Sequence, residues 1–270
     1  MNKTKNTKAA LLISTYNWPE ALELIFKSLK LQSCLPGEIL IADDGSGEVT
    51  RKLIKKYKEI IPVPINHVWQ EDTGFRKSAI LNKAIAETIA DYIIQVDGDC
   101  ILHKNFVEDH VAVSQKNTYL YGSRVNIKPV AVQKIFAEDL YEFPVTSKHI
   151  KNKTRNLRIP IFQRMYKPEN KFSSKTRGCN LSYWRKDFLD VNGYNEDLEG
   201  WGREDSEFIL RMLNNGVEGK RLRYGGILYH IHHPQTSKER LAGNDRIQKQ
   251  TIREKRIWCK NGVDKYLIHS

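Results

Sequence analysis

The first hundred residues alternate between short apolar runs and segments in which apolar residues recur at helical spacing. Short apolar runs bounded by turn residues are typical of buried strands, and spacing near 3.6 residues is typical of amphipathic helices. We predict strands at residues 9–15, 37–46, 64–71 and 91–97. We predict the intervening helices at residues 19–32, 48–60 and 76–90. Such alternation with short connections indicates an α/β fold with a mostly parallel sheet and helices on both faces.

Acidic residues follow three successive predicted strands. They are Asp43 and Asp44 after the second strand, Glu71 and Asp72 after the third, and Asp97 and Asp99 after the fourth. Ligands of open parallel sheets bind beyond the carboxyl ends of the strands. Acids at three such ends therefore predict a ligand rich in hydroxyls, amides or metal-bound phosphate.

The sequence Asp97-Gly98-Asp99 ends the fourth predicted strand. Two carboxylates one residue apart suit a hard divalent cation such as Mg²⁺ or Mn²⁺, which prefers oxygen ligands. The alternative is a pair of exposed turn acids, because Asp and Gly are both favoured in turns. The chain has neither GxGxxG after its first strand nor GxxxxGK(S/T), so a diphosphate ligand would need a metal ion.

The second half contains one clear amphipathic helix, predicted at residues 203–216. Glu204 and Asp205 lie in its first turn, where acids complement the helix dipole and the dipole would hold Asp205 ionised. Further strands are predicted at residues 119–125, around Cys179 and Asn180, and at residues 225–235. The last of these strands closes with His230, His232 and His233.

The 270-residue chain has a formal net charge of +12, which favours contact with polyanions. Many lysines and arginines, with the single acid Glu169, lie between Lys148 and Arg177. This segment is either a solvated loop or a patch that contacts an anionic membrane, where each basic residue contributes about 1 kcal/mol. A nucleic-acid partner is not expected, because few aromatic residues interleave with the basic ones.

The cysteines bear on the compartment. Cys34, Cys100, Cys179 and Cys259 are far apart and have no zinc-binding spacing. Isolated thiols point to a reducing compartment, so we expect a cytoplasmic protein, either free or attached peripherally at the inner face of the cytoplasmic membrane. No apolar run approaches the roughly 20 residues that span a bilayer.

Several motifs together resemble a known family. In chain order they are LLISTYNWPEALELIFKSL, EILIADDGS, DTGFRKSAILNKAIA and DYIIQVDGDCIL. These segments resemble the family 2 glycosyltransferases of GT-A fold. Residues 177–216, which contain GWGRED, resemble the galactosyltransferase-type C-terminal region shared by β-1,4-galactosyltransferases and bacterial chondroitin polymerase domains. The resemblance covers roughly residues 9–235.

The resemblance implies a division of the chain. Residues 1–235 would form one GT-A domain, with a nucleotide-sugar-binding half (9–125), a variable basic segment (126–176) and an acceptor and catalytic half (177–235). Residues 236–270 would form a C-terminal helical tail, in which Leu241, Ile247, Ile252 and Ile257 have helical spacing. That tail either packs on the domain or lies on a membrane surface.

The resemblance also implies residue roles. The nucleotide-sugar would be bound by Thr15, Tyr16, Asn17, Asp43, Asp44, Arg76 and Asp97, with Arg76 near the diphosphate. The metal, Mn²⁺ or Mg²⁺, would be held by Asp97, Asp99 and His230. His232 is the rival of His230, since strand alternation places both on one face. The acceptor would be bound by Trp201, Gly202, Glu204 and Asn180, and Asp205 would be the catalytic base.

The function that the resemblance implies is inverting, metal-dependent transfer of a sugar from a UDP-sugar to a glycan or a lipid-linked saccharide. The enzyme would be a hexosyltransferase or N-acetylhexosaminyltransferase in bacterial surface polysaccharide or lipopolysaccharide synthesis. One alternative is a sugar-phosphate nucleotidyltransferase, which usually carries a glycine-rich basic loop where this chain has STYNWPE. The other is a catalytically silent sugar-nucleotide binder.

Overall fold

The computed structural model describes residues 8–234 and 237–267. The strands are β1 (Ala9–Thr15), β2 (Glu38–Asp43), β3 (Ile65–Trp69), β4 (Tyr92–Asp97), β5 (Cys100–Leu102), β6 (Thr118–Gly122), β7 (Arg124–Ile127), β8 (Ile150–Lys151), β9 (Leu181–Trp184), β10 (Glu218–Leu222) and β11 (Leu228–His230). The α-helices are α1 (Pro19–Leu29), α2 (Glu48–Lys58), α3 (Lys77–Glu87), α4 (Phe106–Ala112), α5 (Val132–Ala137), α6 (Pro160–Gln163), α7 (Arg185–Asp190), α8 (Glu204–Asn214) and α9 (Leu241–Glu254).

Seven strands form the central sheet, in the order β10-β6-β9-β4-β1-β2-β3. Six of them run in one direction, and β9 runs antiparallel to its neighbours β4 and β6. The prediction of a mostly parallel sheet is therefore confirmed. The four strands and three helices predicted for the first hundred residues are all present, with ends within about three residues of those predicted, the usual scatter of element boundaries.

Side chains of β1 alternate between the two faces of the sheet, as a strand requires. Leu12 packs with Ile80 of α3 and Phe208 of α8 in one apolar cluster. Leu11 packs with Leu22 of α1 in a second cluster on the opposite face. Because β1 is buried on both faces, its sequence is a continuous apolar run, as is typical of parallel sheets.

A second sheet of four strands has the order β5-β11-β7-β8. β11 is antiparallel to β5 and places His230 opposite Cys100, next to the Asp97–Asp99 turn. The strand predicted at residues 119–125 is wrong as a single element, because β6 belongs to the large sheet and β7 to the small one. The chain changes sheets at Ser123, whose carbonyl accepts a hydrogen bond from Asn180.

Two other predictions in the second half need correction. Gly178–Asn180 is a short 3₁₀ helix, and the strand begins only at Leu181. The strand predicted at residues 225–235 is the three-residue β11, since Gly225 and Gly226 interrupt the extended run before it; Gln235 lies outside the described residues.

The C-terminal helix α9 packs on α8. Thr251 donates a hydrogen bond to buried Glu207 (2.9 Å), and the Asn244 amide donates to the Gly202 carbonyl (2.8 Å). The helix ends at Glu254, so Ile257 lies beyond it, contrary to the predicted spacing. Within residues 8–234 and 237–267, no helix combines the length and apolar character needed to cross a membrane.

Candidate active site

A cavity of about 1110 Å³ opens at the carboxyl ends of β1 and β4. The first half of the chain contributes Asp44, Asp97 and Asp99 to its lining, and the second half contributes Glu204 and Asp205. The two acid pairs that were singled out in the sequence, more than 100 residues apart, therefore face one space.

Lys77 connects the two acid pairs. Its ammonium lies 2.7 Å from Asp97 Oδ1 and 3.9 Å from Glu204 Oε1. Burial disfavours the charged ammonium, but Asp97, Asp205 and Glu204 outweigh that effect and raise the pKa of Lys77 well above its usual value. Lys77 is thus a fixed positive charge in the middle of the cavity. The sequence analysis missed it, although its place in the first turn of α3, directly after the strand-end acids, was a usable signal.

The acidic pair Glu204-Asp205 begins α8 after a tight turn. Gly202 and Arg203 both have left-handed backbone angles (φ +103° and +81°), which aim the first turn of the helix into the cavity. Asp205 Oδ2 accepts a hydrogen bond from the Gly178 amide (2.8 Å). Its Oδ1 is buried and has no hydrogen-bond partner among the described residues. One carboxylate oxygen is therefore held in place while the other remains available.

The ionisation of this pair is controlled by burial. Burial raises the pKa of Asp205, and Lys77 opposes that rise. Burial and the neighbouring Asp205 raise the pKa of Glu204 to about 7. The expectation that the helix dipole keeps Asp205 ionised left out burial, which raises the pKa of Asp205, and Lys77, which lowers it. A carboxylate with a raised pKa is a stronger base than one in water.

Asp99, His230 and His233 form a candidate metal site. Asp99 Oδ2 lies 3.3 Å from His230 Nε2 and 3.1 Å from His233 Nε2, and one donor atom from each residue lies within 4.8 Å of the others. A set of one carboxylate and two imidazoles favours a first-row transition-metal ion over Mg²⁺, which prefers oxygen ligands. Burial lowers the pKa of His230, which favours the neutral imidazole that a metal ligand needs.

Two expectations about the metal ligands change. His233, which was not chosen from the sequence, takes the place proposed for His232; β11 ends at His230, so strand alternation no longer governs the residues after it. His232 lines the cavity but lies outside the three-residue group. Asp97 also lies outside that group, and its Oδ1 instead accepts hydrogen bonds from Ser14 (3.0 Å) and Lys77.

Four of the predicted donor-binding residues line the cavity, namely Thr15, Tyr16, Asp44 and Asp97. Asp44 accepts hydrogen bonds from the Gln70 amide (2.5 Å) and the Arg76 backbone amide (2.8 Å). The Tyr16 hydroxyl donates to Asp72 (2.7 Å), and its ring is half exposed at the cavity edge.

Three other predicted donor residues have structural roles. Asp43 is fully buried and accepts hydrogen bonds from the Ser46 amide and from His67 (both 2.8 Å). The Asn17 side chain accepts one from the Gly47 amide (2.8 Å) and so fixes the turn. The guanidinium of Arg76 donates to the Glu71 carbonyl (2.9 Å) and does not line the cavity. Neighbouring Lys77, one position further along the chain, lines the cavity.

Trp201 and Gly202, which the resemblance assigns to the acceptor, line the cavity. The Trp201 ring is 41% exposed, and the Lys238 ammonium lies 5.8 Å from its centroid. Asn180 does not reach the cavity. It is fully buried, and its amide donates to the carbonyls of Ser123 (3.1 Å) and Gly226 (2.9 Å), which joins the two sheets.

Residues 10–179 match the protein-family model described as "Glycosyl transferase family 2". The chain belongs to this family. Residues 161–234 of this family 2 member also match the model described as "N-terminal domain of galactosyltransferase". The family resemblance drawn from the sequence motifs is thereby confirmed.

Curated relatives of this family 2 member are longer proteins. It is 24% identical to the chondroitin synthase of Escherichia coli, over 91% of this chain and 38% of that protein. It is 27% identical to the chondroitin synthase of Pasteurella multocida (93% and 28%) and 25% identical to validoxylamine A glucosyltransferase of Streptomyces hygroscopicus subsp. limoneus (77% and 48%). The chain therefore spans less than half the length of these relatives.

Solved structures of similar fold include S. aureus TarS 1-349 in complex with UDP, with a TM-score of 0.62 and 16% identity over 91% of this chain and 65% of that one. Mannosyltransferase PcManGT from Pyrobaculum calidifontis, in complex with GDP-Man and Mn²⁺, gives a TM-score of 0.58 and 15% identity (91% and 61%). The GT-A fold predicted for this family 2 member is confirmed.

Proposed function

We propose that this family 2 member is an inverting, metal-dependent glycosyltransferase that moves a sugar from a UDP-sugar to a glycan or lipid-linked saccharide. The observation that carries the proposal is that Asp97 and Asp99 share one cavity with Glu204 and Asp205, with Lys77 between the two pairs. A nucleotide-sugar and an acceptor hydroxyl can therefore meet in one space.

The donor would lie at the carboxyl ends of β1, β2 and β4. Asp44 and Thr15 would contact the nucleoside, and Lys77 and Arg124, two of the cations that line the cavity, would contact the diphosphate. Asp99, His230 and His233 would hold a divalent ion, for which Mn²⁺ fits the donor set better than Mg²⁺. When bound, such an ion neutralises charge on the departing nucleotide. UDP as the nucleotide is supported by the UDP complex of TarS.

Asp205 would deprotonate the acceptor. Its buried Oδ1 has no other partner among the described residues, and the Gly178 amide fixes its orientation through Oδ2. Glu204, with a pKa raised to about 7, can accept or donate a hydrogen bond to an acceptor hydroxyl. Trp201 offers an exposed apolar face to a sugar ring. Direct displacement by an alcohol deprotonated in this way inverts the anomeric centre.

The acceptor would be a growing polysaccharide or lipid-linked glycan, since the relatives include chondroitin synthases and a hyaluronan synthase. The four cysteines are free thiols. This supports a site of action on the cytoplasmic side, where thiols stay reduced.

The test is turnover of four donors, UDP-glucose, UDP-galactose and their N-acetyl forms, with and without Mn²⁺. We expect one donor to release UDP faster than the others in the presence of Mn²⁺. Asp205→Asn should lower transfer by about 10²–10⁴-fold, while UDP still protects the variant from thermal unfolding. Asp190→Asn, at an exposed pair with Lys186 on α7, is the matched control and should retain activity.

The alternatives give different products. A nucleotidyltransferase would release pyrophosphate rather than UDP. A silent binder would be protected by UDP-sugars without turnover, and Asp205→Asn would then change no measured rate. Either result would refute the proposal.

A further inference from the structure

Three large apolar side chains project into solvent from one turn of the basic segment. Ile161, Phe162 and Met165 are 73%, 43% and 72% exposed. Ile161 belongs to α6, and the Met165 amide donates to the Phe162 carbonyl (3.2 Å) in the turn that follows. Ile161 and Phe162 lie in α6 and Met165 lies in the turn directly after it, so the three exposed side chains come from one short stretch of chain. Clustered exposed apolar residues rimmed by polar ones mark interaction sites.

This turn is fixed to the rest of the domain. The Ile159 amide and the buried Gln163 side chain both donate to the Tyr224 carbonyl (3.0 and 3.1 Å). At Gly225 an added Cβ would lie 1.9 Å from Gln163 Nε2. The turn therefore packs closely against the loop between β10 and β11, which contains Tyr224 and Gly225. The apolar side chains are therefore presented on an ordered base, and their exposure follows from the fold.

Basic residues flank the apolar ones in the sequence. Residues 148–177 contain ten lysines and arginines and one acid, Glu169. Arg164, Lys167, Lys171 and Lys175 are exposed, and no described carboxylate lies within 4 Å of their charged groups. Exposed apolar side chains next to basic side chains that form no ion pair with a described residue are complementary to an anionic bilayer. Such a bilayer has hydrocarbon beneath negatively charged headgroups.

The same segment continues to the cavity. Phe172, Ser174 and Arg177 line it, and Gly178 holds Asp205. Between these two ends, Glu169 forms a β-bridge with Gly219, which fixes the path of the segment. A surface that contacts a membrane at residues 161–167 would therefore bring the cavity close to that membrane.

We infer that Ile161, Phe162 and Met165, together with Arg164 and Lys167, form a docking surface for an anionic lipid bilayer. We name this set the 161–167 surface. Its role in presenting a lipid-linked acceptor to the cavity rests on the proposed function, whereas binding to a bilayer does not. The apolar side chains insert among the headgroups, and the basic side chains contact the lipid phosphates.

The test is co-sedimentation of the full chain with vesicles of phosphatidylcholine alone or with one third phosphatidylglycerol. We expect binding to the anionic vesicles that weakens as salt rises, since surface charge attraction is screened. Ile161→Ser with Met165→Ser should weaken binding about tenfold. Arg164→Gln with Lys167→Gln should weaken it about thirtyfold, about fivefold for each charge.

Matched controls distinguish binding by the 161–167 surface from nonspecific hydrophobic adsorption and from the effect of net charge. Ile89→Ser removes an apolar side chain that is 84% exposed. Ile89 precedes the amino-terminal end of β4, whereas the cavity opens at the carboxyl end of that strand. Lys55→Gln with Lys58→Gln removes two exposed charges from α2. Neither control should change vesicle binding by more than about twofold. Thermal unfolding of all variants should match the wild type, because every substituted side chain is exposed.

Absence of binding to anionic vesicles, or equal losses in the 161–167 variants and the controls, would overturn the inference. Either result would leave a protein partner as the explanation for the exposed residues. UDP-sugar hydrolysis without vesicles separates this outcome from failure of the proposed function. The 161–167 variants should hydrolyse donor at the wild-type rate, and a chain that binds vesicles without any turnover would refute only the proposed function.

Discussion

Replacement of Lys77 by methionine tests the central electrostatic arrangement of the cavity. Methionine keeps an unbranched side chain of similar length and removes the positive charge. Asp97, Glu204 and Asp205 would then face one cavity without the cation that now lies 2.7 Å from Asp97 and 3.9 Å from Glu204. We expect the Lys77→Met protein to be less stable at neutral pH.

The size of the effect follows from burial. Removing one partner of a fully buried ion pair typically costs about 3–5 kcal/mol. The side chains of Lys77 and Glu204 are only 13% and 9% exposed, but that of Asp97 is 30% exposed and can be rehydrated. We therefore expect a loss of about 2–3 kcal/mol of unfolding free energy. For a chain of this size that corresponds to a fall in Tm of about 5 °C.

The loss should depend on pH in a defined direction. Glu204 has its pKa raised from 4.5 to about 7 in the folded protein, and Lys77 is a group that lowers it. Without Lys77 the folded pKa rises further. When the pKa of a carboxyl is higher in the folded than in the unfolded protein, its contribution to the unfolding free energy is fully present below the unfolded pKa. That contribution is lost as pH rises through the folded pKa. The destabilisation should thus be smaller near pH 5, where mainly the contact with Asp97 is lost, than above pH 8, where the contact with ionised Glu204 is lost as well.

Urea unfolding followed by tryptophan fluorescence at pH 5.5 and 8.5 measures both quantities. Lys52→Met is the control, because Lys52 forms an exposed pair with Glu48 (3.9 Å), and such pairs contribute about 1 kcal/mol or less. A Lys77→Met protein that loses the same free energy at both pH values would refute this reasoning. A loss no larger than that of Lys52→Met would refute it as well.

Two further substitutions test the metal site and the base. His233→Ala should raise the Mn²⁺ concentration needed for half-maximal transfer by at least about tenfold, whereas His232→Ala should leave it unchanged; the reverse order would contradict the assigned cluster. Gly178→Ala places a Cβ 2.1 Å from Asp205 Oδ2, so transfer should fall about 100-fold through misplacement of the base. Gly243→Ala, where nothing lies within 4 Å in α9, should instead stabilise by about 0.5–1 kcal/mol in urea unfolding; equal activity of the two alanine variants would contradict the role of the Gly178 amide.

Local pattern was sufficient for the nucleotide-binding half. Each strand of β1–β4 is a short apolar run followed by turn residues, and each helix between them lies next to its strands in sequence. Short-range periodicity therefore carries most of the information, and the topology follows from the handedness of such units. The same pattern located the Asp97–Asp99 turn at a strand end, and the structure places both aspartates in the cavity.

The second half could not be derived in the same way. The chain divides residues 118–127 between two sheets, and it inserts β9 antiparallel between β4 and β6. The strands that pair with them lie far away in the sequence. The local spacing of apolar residues therefore does not predict where the chain passes from one sheet to the other. Asn180 looked like a ligand-binding residue and is instead the buried amide that joins the two sheets.

The sequence by itself therefore determined the α/β class, the order of the first seven elements and the residue types present at the strand ends. Only the tertiary structure decided that Lys77 rather than Arg76 lines the cavity, and that His233 rather than His232 lies beside Asp99 and His230. The physical reason is that side-chain direction after an element ends depends on contacts with distant segments. Lys77 and Glu204 meet across 127 positions of chain, a separation over which the period of a helix or strand carries no information.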